Sequence, residues 1–265
     1  MKYLLNIEWL KYKHYKPFWL LTGLYALSIV VINYIVFKIN AFIHTEESSP
    51  QLEMLIGKSA MAFPYVWESV SYASSFILSI LGLLVILVTT NEYTFKTHRQ
   101  NIIDGFSREQ FITSKIISAV ILSIVSTLIV TVTAIVAGLA EVNSSFTLSG
   151  SISILYFFIQ TLSYTMLALL IATFFRRGAI AIGIYLLYIW MIEPLIMVGL
   201  WRIEFPYAAY LPIQSADDLI SFPSFDNIKK FGPSLGQVPS VFFVPLIYVG
   251  LMVYFTYKRF VKSDL

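Results

Sequence analysis

Six stretches of the chain are apolar over a length that matches the hydrocarbon core of a bilayer, and polar residues collect between them. They cover 18–37, 69–90, 116–139, 152–175, 179–200 and 241–257, each near the roughly 20 residues that a spanning helix needs. The last is the shortest and carries Pro245 near its start. This pattern predicts an all-α integral membrane protein of six transmembrane helices in one domain, 1–265. Ahead of the first span, 1–17 predicts a helix lying along the membrane surface. Tyr3, Ile7 and Leu10 share one face, Leu5, Trp9 and Tyr12 form a second apolar arc, and Lys2, Asn6 and Lys13 sit opposite. Lysine beside tryptophan and tyrosine suits the headgroup region. Such a helix serves either as a plain anchor or as a connector packed against the bundle or under a partner subunit.

Between the first two spans, Ser49 followed by Pro50 reads as the cap and first position of a short helix. The segment 201–240 contains Pro206, Pro212, Pro223, Pro233 and Pro239, which exclude one long helix. Its aromatic content predicts short helices or a re-entrant hairpin dipping into the membrane between spans five and six.

Composition agrees with the pattern. The chain is 58% hydrophobic and 12% charged, with a mean hydropathy of +0.77; soluble domains carry about 25% charged residues. It has no cysteine, which excludes disulfides, thiolate nucleophiles and cysteine metal sites. His14, His44 and His98 lie far apart, so no metal site is predicted. Catalytic constellations are likewise lacking in the spans: no Ser–His pair, no paired acids and no phosphate loop of the form G-x-x-x-x-G-K-[ST].

Charge distribution sets the orientation. With the N-terminus in the cytoplasm, thirteen of the eighteen Lys and Arg fall in the inner segments 1–17, 91–115, 176–177 and 258–265. The positive-inside rule therefore places both termini in the cytoplasm of a multi-pass inner-membrane protein.

The loop 91–115, NEYTFKTHRQNIIDGFSREQFITSK, is too long for a tight turn. Phe95, Ile102 and Ile103 interleave with Lys96, His98, Arg99 and Gln100, Gly105 stands where a helix would end, and Ser107 with Gln110 forms a capping box. The prediction is a short surface helix, a glycine stop, and a capped helix entering the membrane as the third span. Joined stiffly to two spans, that short helix makes a lever.

The pairs and triplets Glu92-Tyr93, Phe95-Lys96-Thr97 and Arg99, followed by Gly105-Phe106-Ser107-Arg108 with Phe111 and Lys115, resemble the coupling-helix loop of type-2 ABC exporter permeases. In topology the resemblance covers nearly the whole chain; in residues it is concentrated in 91–115. Loops of that family often carry Gly-Thr after the Glu-Tyr pair, a place held here by Phe95, Lys96 and Thr97. The resemblance implies a cytoplasmic coupling helix between spans two and three, and a separate nucleotide-binding ATPase subunit that holds ATP and magnesium, no cofactor being bound by this chain. It also implies a second permease copy, identical or not, surrounding membrane lipid, no nucleic acid, and export of a substrate. Glu92, Phe95, Lys96, His98, Arg99, Ile102, Ile103 and Gly105 are the candidate ATPase contacts, with Glu92 either orienting the coupling helix or meeting a basic residue of the partner.

Two polar residues in the spans stand out as a possible substrate path or gate. Glu193 sits in an apolar run beside Pro194, and an acid within a membrane marks a functional site by default. Asn33 and the serines and threonines of spans two to four serve either a polar path or helix packing. The rival readings are a self-contained channel or secondary carrier, and a membrane assembly subunit without transport.

Overall fold

The computed structural model describes residues 2–43, 59–103, 105–142, 144–203, 205, 208–220 and 242–262; of residues 2–5, 43 and 208 only the backbone is described. The Ser49–Pro50 helix start lies outside these residues. The described residues contain helices and connecting turns and no strand. In chain order the helices are α1 (Lys2–Lys13), α2 (Lys16–Ile43), α3 (Val66–Ser75), α4 (Leu78–Thr94), α5 (Thr97–Ile103), α6 (Arg108–Ala140), α7 (Ile152–Phe175), α8 (Gly178–Leu187), a π-helical turn Tyr188–Ile192, α9 (Glu193–Arg202), a 3-10 turn Ala208–Tyr210, α10 (Gln214–Asp217) and α11 (Phe243–Val261).

Four helical stretches are long and apolar enough to cross a membrane: Lys16–Phe42, Arg108–Ala140, Ile152–Phe175 and Gly178–Arg202. A fifth results if the pair α3 and α4, bent by 49° at a short break, is one span. The predicted second span is thus two helices meeting near Phe76 and Ile77. The predicted sixth, α11, is 19 residues long and ends on Lys258 and Arg259, which shortens its apolar part. The fifth span contains a π-turn in place of a uniform helix.

α7 is the central post. Fourteen of its residues are buried, and it packs against α3, α4, α6, α8 and α11. The faces of α2 and α9 turned away from it are apolar and exposed, including Leu20, Leu27, Tyr34, Leu195 and Val198, as expected where lipid is the solvent. Between helices, hydroxyls and amides bridge: Tyr25 with Ser126, Ser123 with Thr165 at 3.0 Å, and Asn33 with Ser74 at 2.9 Å. Such bonds matter where hydrophobicity supplies no drive between helices. At one end of the bundle Asn40, Ser59 and Glu141 join α2, α6 and the stretch before α3. The opposite end is marked by Lys115 and carries α1, α5 and the end of α11.

Close approach of α4 and α8 requires a missing side chain. A Cβ at Gly82 would lie 1.9 Å from the Tyr185 hydroxyl oxygen, and Tyr185 is fully buried. Gly82→Ala is expected to destabilise the bundle by about 1–3 kcal/mol, the usual cost of overpacking. Gly23→Ala, at a helical glycine with nothing within 4 Å, is expected to cause no loss. Thermal unfolding of the two variants in detergent compares them directly.

Candidate functional site: a buried charge cluster under a surface lever

The chain leaves α4 at Thr94 and turns sharply at Lys96, whose φ is +56°. It runs through the two-turn helix α5, turns again at Gly105 with φ of +105°, and enters α6 at Arg108. A positive φ suits glycine because it has no Cβ. The capping box holds as predicted: the Gln110 amide N–H donates to Ser107 Oγ at 3.1 Å, and the Ser107 amide N–H donates to Gln110 Oε1 at 3.0 Å. The lever is therefore a short helix between two tight turns, continuous with long helices on both sides.

Its underside is fastened by charge. The Lys115 ammonium, on the first turns of α6, is 2% exposed and lies between two carboxylates. It donates to Glu8 Oε2 at 2.6 Å and to Glu92 Oε1. The Lys11 ammonium donates to Glu8 Oε1 at 3.0 Å and to Glu92 Oε1 at 3.1 Å. Tyr12 donates its hydroxyl to Glu8 Oε2 at 3.0 Å, and Ser114 to Glu8 Oε1 at 3.3 Å. Two acids and two ammonium groups from α1, α4 and α6 thus balance in one buried knot. Ion pairing with hydrogen bonds to the remaining lone pairs is what makes such burial tolerable.

Around the knot, aromatic rings complete the packing. Lys115 lies 5.4 Å from the Phe111 ring centre, Phe111 stacks on Phe260 of α11 at 4.9 Å, and the Arg176 guanidinium lies 5.6 Å from the Tyr93 ring. Arg108 donates to the Val261 carbonyl at 3.2 Å. The ends of α1, α4, α6, α7 and α11 are therefore tied at one level.

The predicted loop residues divide into two sets. Phe95 and Ile103 are exposed, at 72% and 77%, and Lys96, Arg99 and Gly105 are exposed with them. Glu92 and His98 point inward. His98 Nδ1 lies 2.9 Å from the Glu92 carbonyl oxygen, which requires the proton on that nitrogen, and the ring packs on Tyr93 at 4.9 Å. Ile102 is half-buried. Lys115 and Lys11 both bind Glu92 Oε1, while Oε2 is buried without a hydrogen-bond partner.

Asn33 and Glu193 lie elsewhere. Asn33 is buried, donating to the Ile29 carbonyl and to Ser74 Oγ, both at 2.9 Å. It joins α2 to α3. Glu193 is buried at the π-turn and accepts the backbone N–H groups of Ile213 and Gln214 at 2.6 and 2.7 Å.

Glu8, Lys11, Tyr12 and Asp217 are the residues that pattern reading passed over. Glu8 had a signal: it is the only acid in an otherwise basic 1–17. Lys115 had one as well, standing at the threshold of an apolar run.

Burial alone would raise the Glu8 carboxyl, but the neighbouring ammonium groups of Lys115 and Lys11 outweigh it and hold the carboxyl at about 2, below its ordinary 4.5. A lowered carboxyl stabilises the folded state above its unfolded value and loses that contribution as pH falls toward the folded one. Docking of α1 is therefore expected to hold at neutral pH and to weaken as pH falls from 4.5 toward about 2, measurable by amide exchange over residues 6–13. Lys115→Met strands two buried carboxylates and is expected to cost about 3–5 kcal/mol; Glu8→Gln added to it recovers part of the loss. Tryptophan fluorescence on heating tests both.

The family described as ABC-2 family transporter protein matches residues 4–191, well over half of the chain and including α1, the lever and the whole knot. Comparison with curated proteins gives no match. Among the described residues the bundle is all-helical, with four or five helical stretches long and apolar enough to cross a membrane, and the chain belongs to the ABC-2 transporter family as a multi-pass membrane permease.

Proposed function

We propose that this chain is the membrane subunit of an ATP-driven exporter, and that a separate ATPase subunit grips the exposed face of α5. Six spans carry the chain across the cytoplasmic membrane, α11 being the sixth, with both termini and the Lys115 end in the cytoplasm. The excess of Lys and Arg at that end supports this orientation.

The observation that carries the proposal is the lever itself. The turn before α5 shows Phe95 and Lys96 outward and α5 itself shows Arg99 and Ile103, a mix of aromatic, aliphatic and basic groups suited to a protein partner. Beneath, Glu92 and His98 stiffen it, and Glu92 ties it through Lys115 to α6 and through Lys11 to α1. A force on α5 thus reaches α4, α6 and the N-terminal helix as one body.

ATP and its magnesium ion are held by the partner. Closure of the ATPase dimer displaces two such levers, one in each of two paired permeases, and the path between them opens to alternate sides. α1 acts as the connecting helix of the two open at the sequence level, because its acid enters the knot.

Phe95→Ala combined with Arg99→Glu is expected to weaken copurification of the ATPase subunit by at least about tenfold, the effect of losing one interface anchor. The unfolding temperature of the permease stays unchanged because both side chains are exposed. An undiminished complex would place the ATPase contact elsewhere than the lever, and transport by a chain that no ATPase subunit accompanies would return it to the channel or carrier readings.

A further inference from the structure

The second concentration of buried acid lies away from the lever, where residues 208–220 fold back onto the helices. α10 packs on α7, on α11 and on the Ala208–Tyr210 turn. Asp217 accepts Gln160 Nε2 at 2.8 Å and the Tyr164 hydroxyl at 3.1 and 3.2 Å, both from α7. One turn earlier, the Ile213 and Gln214 amides donate to Glu193. Tyr248 of α11 donates to the Tyr210 carbonyl at 2.9 Å. The polar contacts of the folded-back segment therefore run mainly through two carboxyl groups, beside the buried side chains of Ile213, Ala216 and Ile220.

Neither carboxyl has a cation. Among the described residues no lysine or arginine forms an ion pair with Asp217 or Glu193, unlike the acids of the Lys115 knot. The groups that face the pair are Tyr164 from α7, Tyr185 from α8, Tyr188 of the π-turn, Tyr72 from α3 and the Asp218 carboxylate of the segment itself. Tyrosines keep their protons near neutrality, and among these facing groups none is an ammonium or guanidinium. Hydrogen bonding there is also incomplete: the buried Gln160 Oε1 and Glu193 Oε2 have no hydrogen-bond partner, and neither has the Tyr185 hydroxyl. One added proton would lower the charge and supply a donor at the same time.

We propose that Asp217 and Glu193 form a proton-binding site, and that the bound proton latches residues 208–220 onto the bundle. Enclosure pushes the Asp217 carboxyl up from 3.8 to about 7, with the Glu193 and Asp218 charges adding to the effect. A raised carboxyl binds its proton more tightly when docked than when released. Docking is therefore strongest at low pH and is lost as pH rises from about 4 toward 7, by at most about tenfold in the docking equilibrium per pH unit for one proton. The latch is independent of the ATPase and of the transporter reading.

The chain has no cysteine, so a spin-label pair can be placed at Leu211→Cys and Ile152→Cys in the full chain in lipid nanodiscs. A single short distance is expected at pH 5, with a longer population that grows several-fold by pH 8. Asp217→Asn keeps the acceptor oxygen and removes the titration, so it is expected to give the short distance at both pH values. Glu193→Gln relieves repulsion and is expected to move the midpoint to lower pH. A distribution that ignores pH, or one that responds unchanged in Asp217→Asn, overturns the proposal. A shift driven by sodium chloride at constant pH overturns it too, because the site would then bind a metal cation.

Discussion

A single ammonium group, that of Lys115, lies where α1, α4 and α6 meet and is satisfied only because each of the other two helices brings a carboxylate. Remove that arrangement and the start of α6 would carry an unpaired buried charge, a cost of several kcal/mol. The position of the surface lever follows from it. Glu92 is the last buried side chain of α4 before the turn at Lys96, so fixing Glu92 fixes where α5 begins. The aromatic layer of Tyr93, Phe111 and Phe260 then fills the space around the charges and extends the tie to α7 and α11.

The two ends of the molecule solve the same problem differently. At the Lys115 end, acids are balanced by ammonium groups and the charge sums to zero locally. Around Asp217 the acids are held by neutral donors alone: two backbone amides, one amide side chain and one phenol. The first arrangement tolerates any pH at which carboxylates are ionised. The second is sensitive to how many protons are present.

Much of this was legible in the sequence where the signal is local. The capping box of Ser107 and Gln110 and the glycine stop at 105 follow from backbone chemistry within a few residues, and both stand in the structure. The apolar runs were legible for the same reason. The 49° bend between α3 and α4 was not, because neither proline nor glycine stands at Phe76 and Ile77. The pairing of Glu8 with Lys115 spans 107 residues, and no periodicity encodes a partner at that separation. Asp217 was hidden by its surroundings: prolines in 201–240 exclude a long helix but do not say which short piece returns to the core. Asn33 and Glu193 are buried polar groups whose partners, Ser74 and two main-chain amides, come from elements whose approach only the fold defines.

The wide turn Tyr188–Ile192 has an effect on azimuth. A π-turn accommodates about one residue more than an α-turn, and one residue is about 100° of rotation in a helix. Everything beyond Ile192 is therefore swung round the axis relative to α8. Glu193 is the first residue to feel that swing, and it is buried while its neighbours Trp190, Met191, Ile192 and Leu195 face outward. A regular helix of the same composition would aim the carboxyl at hydrocarbon; the over-wide coil turns it to the one side where amide hydrogens await.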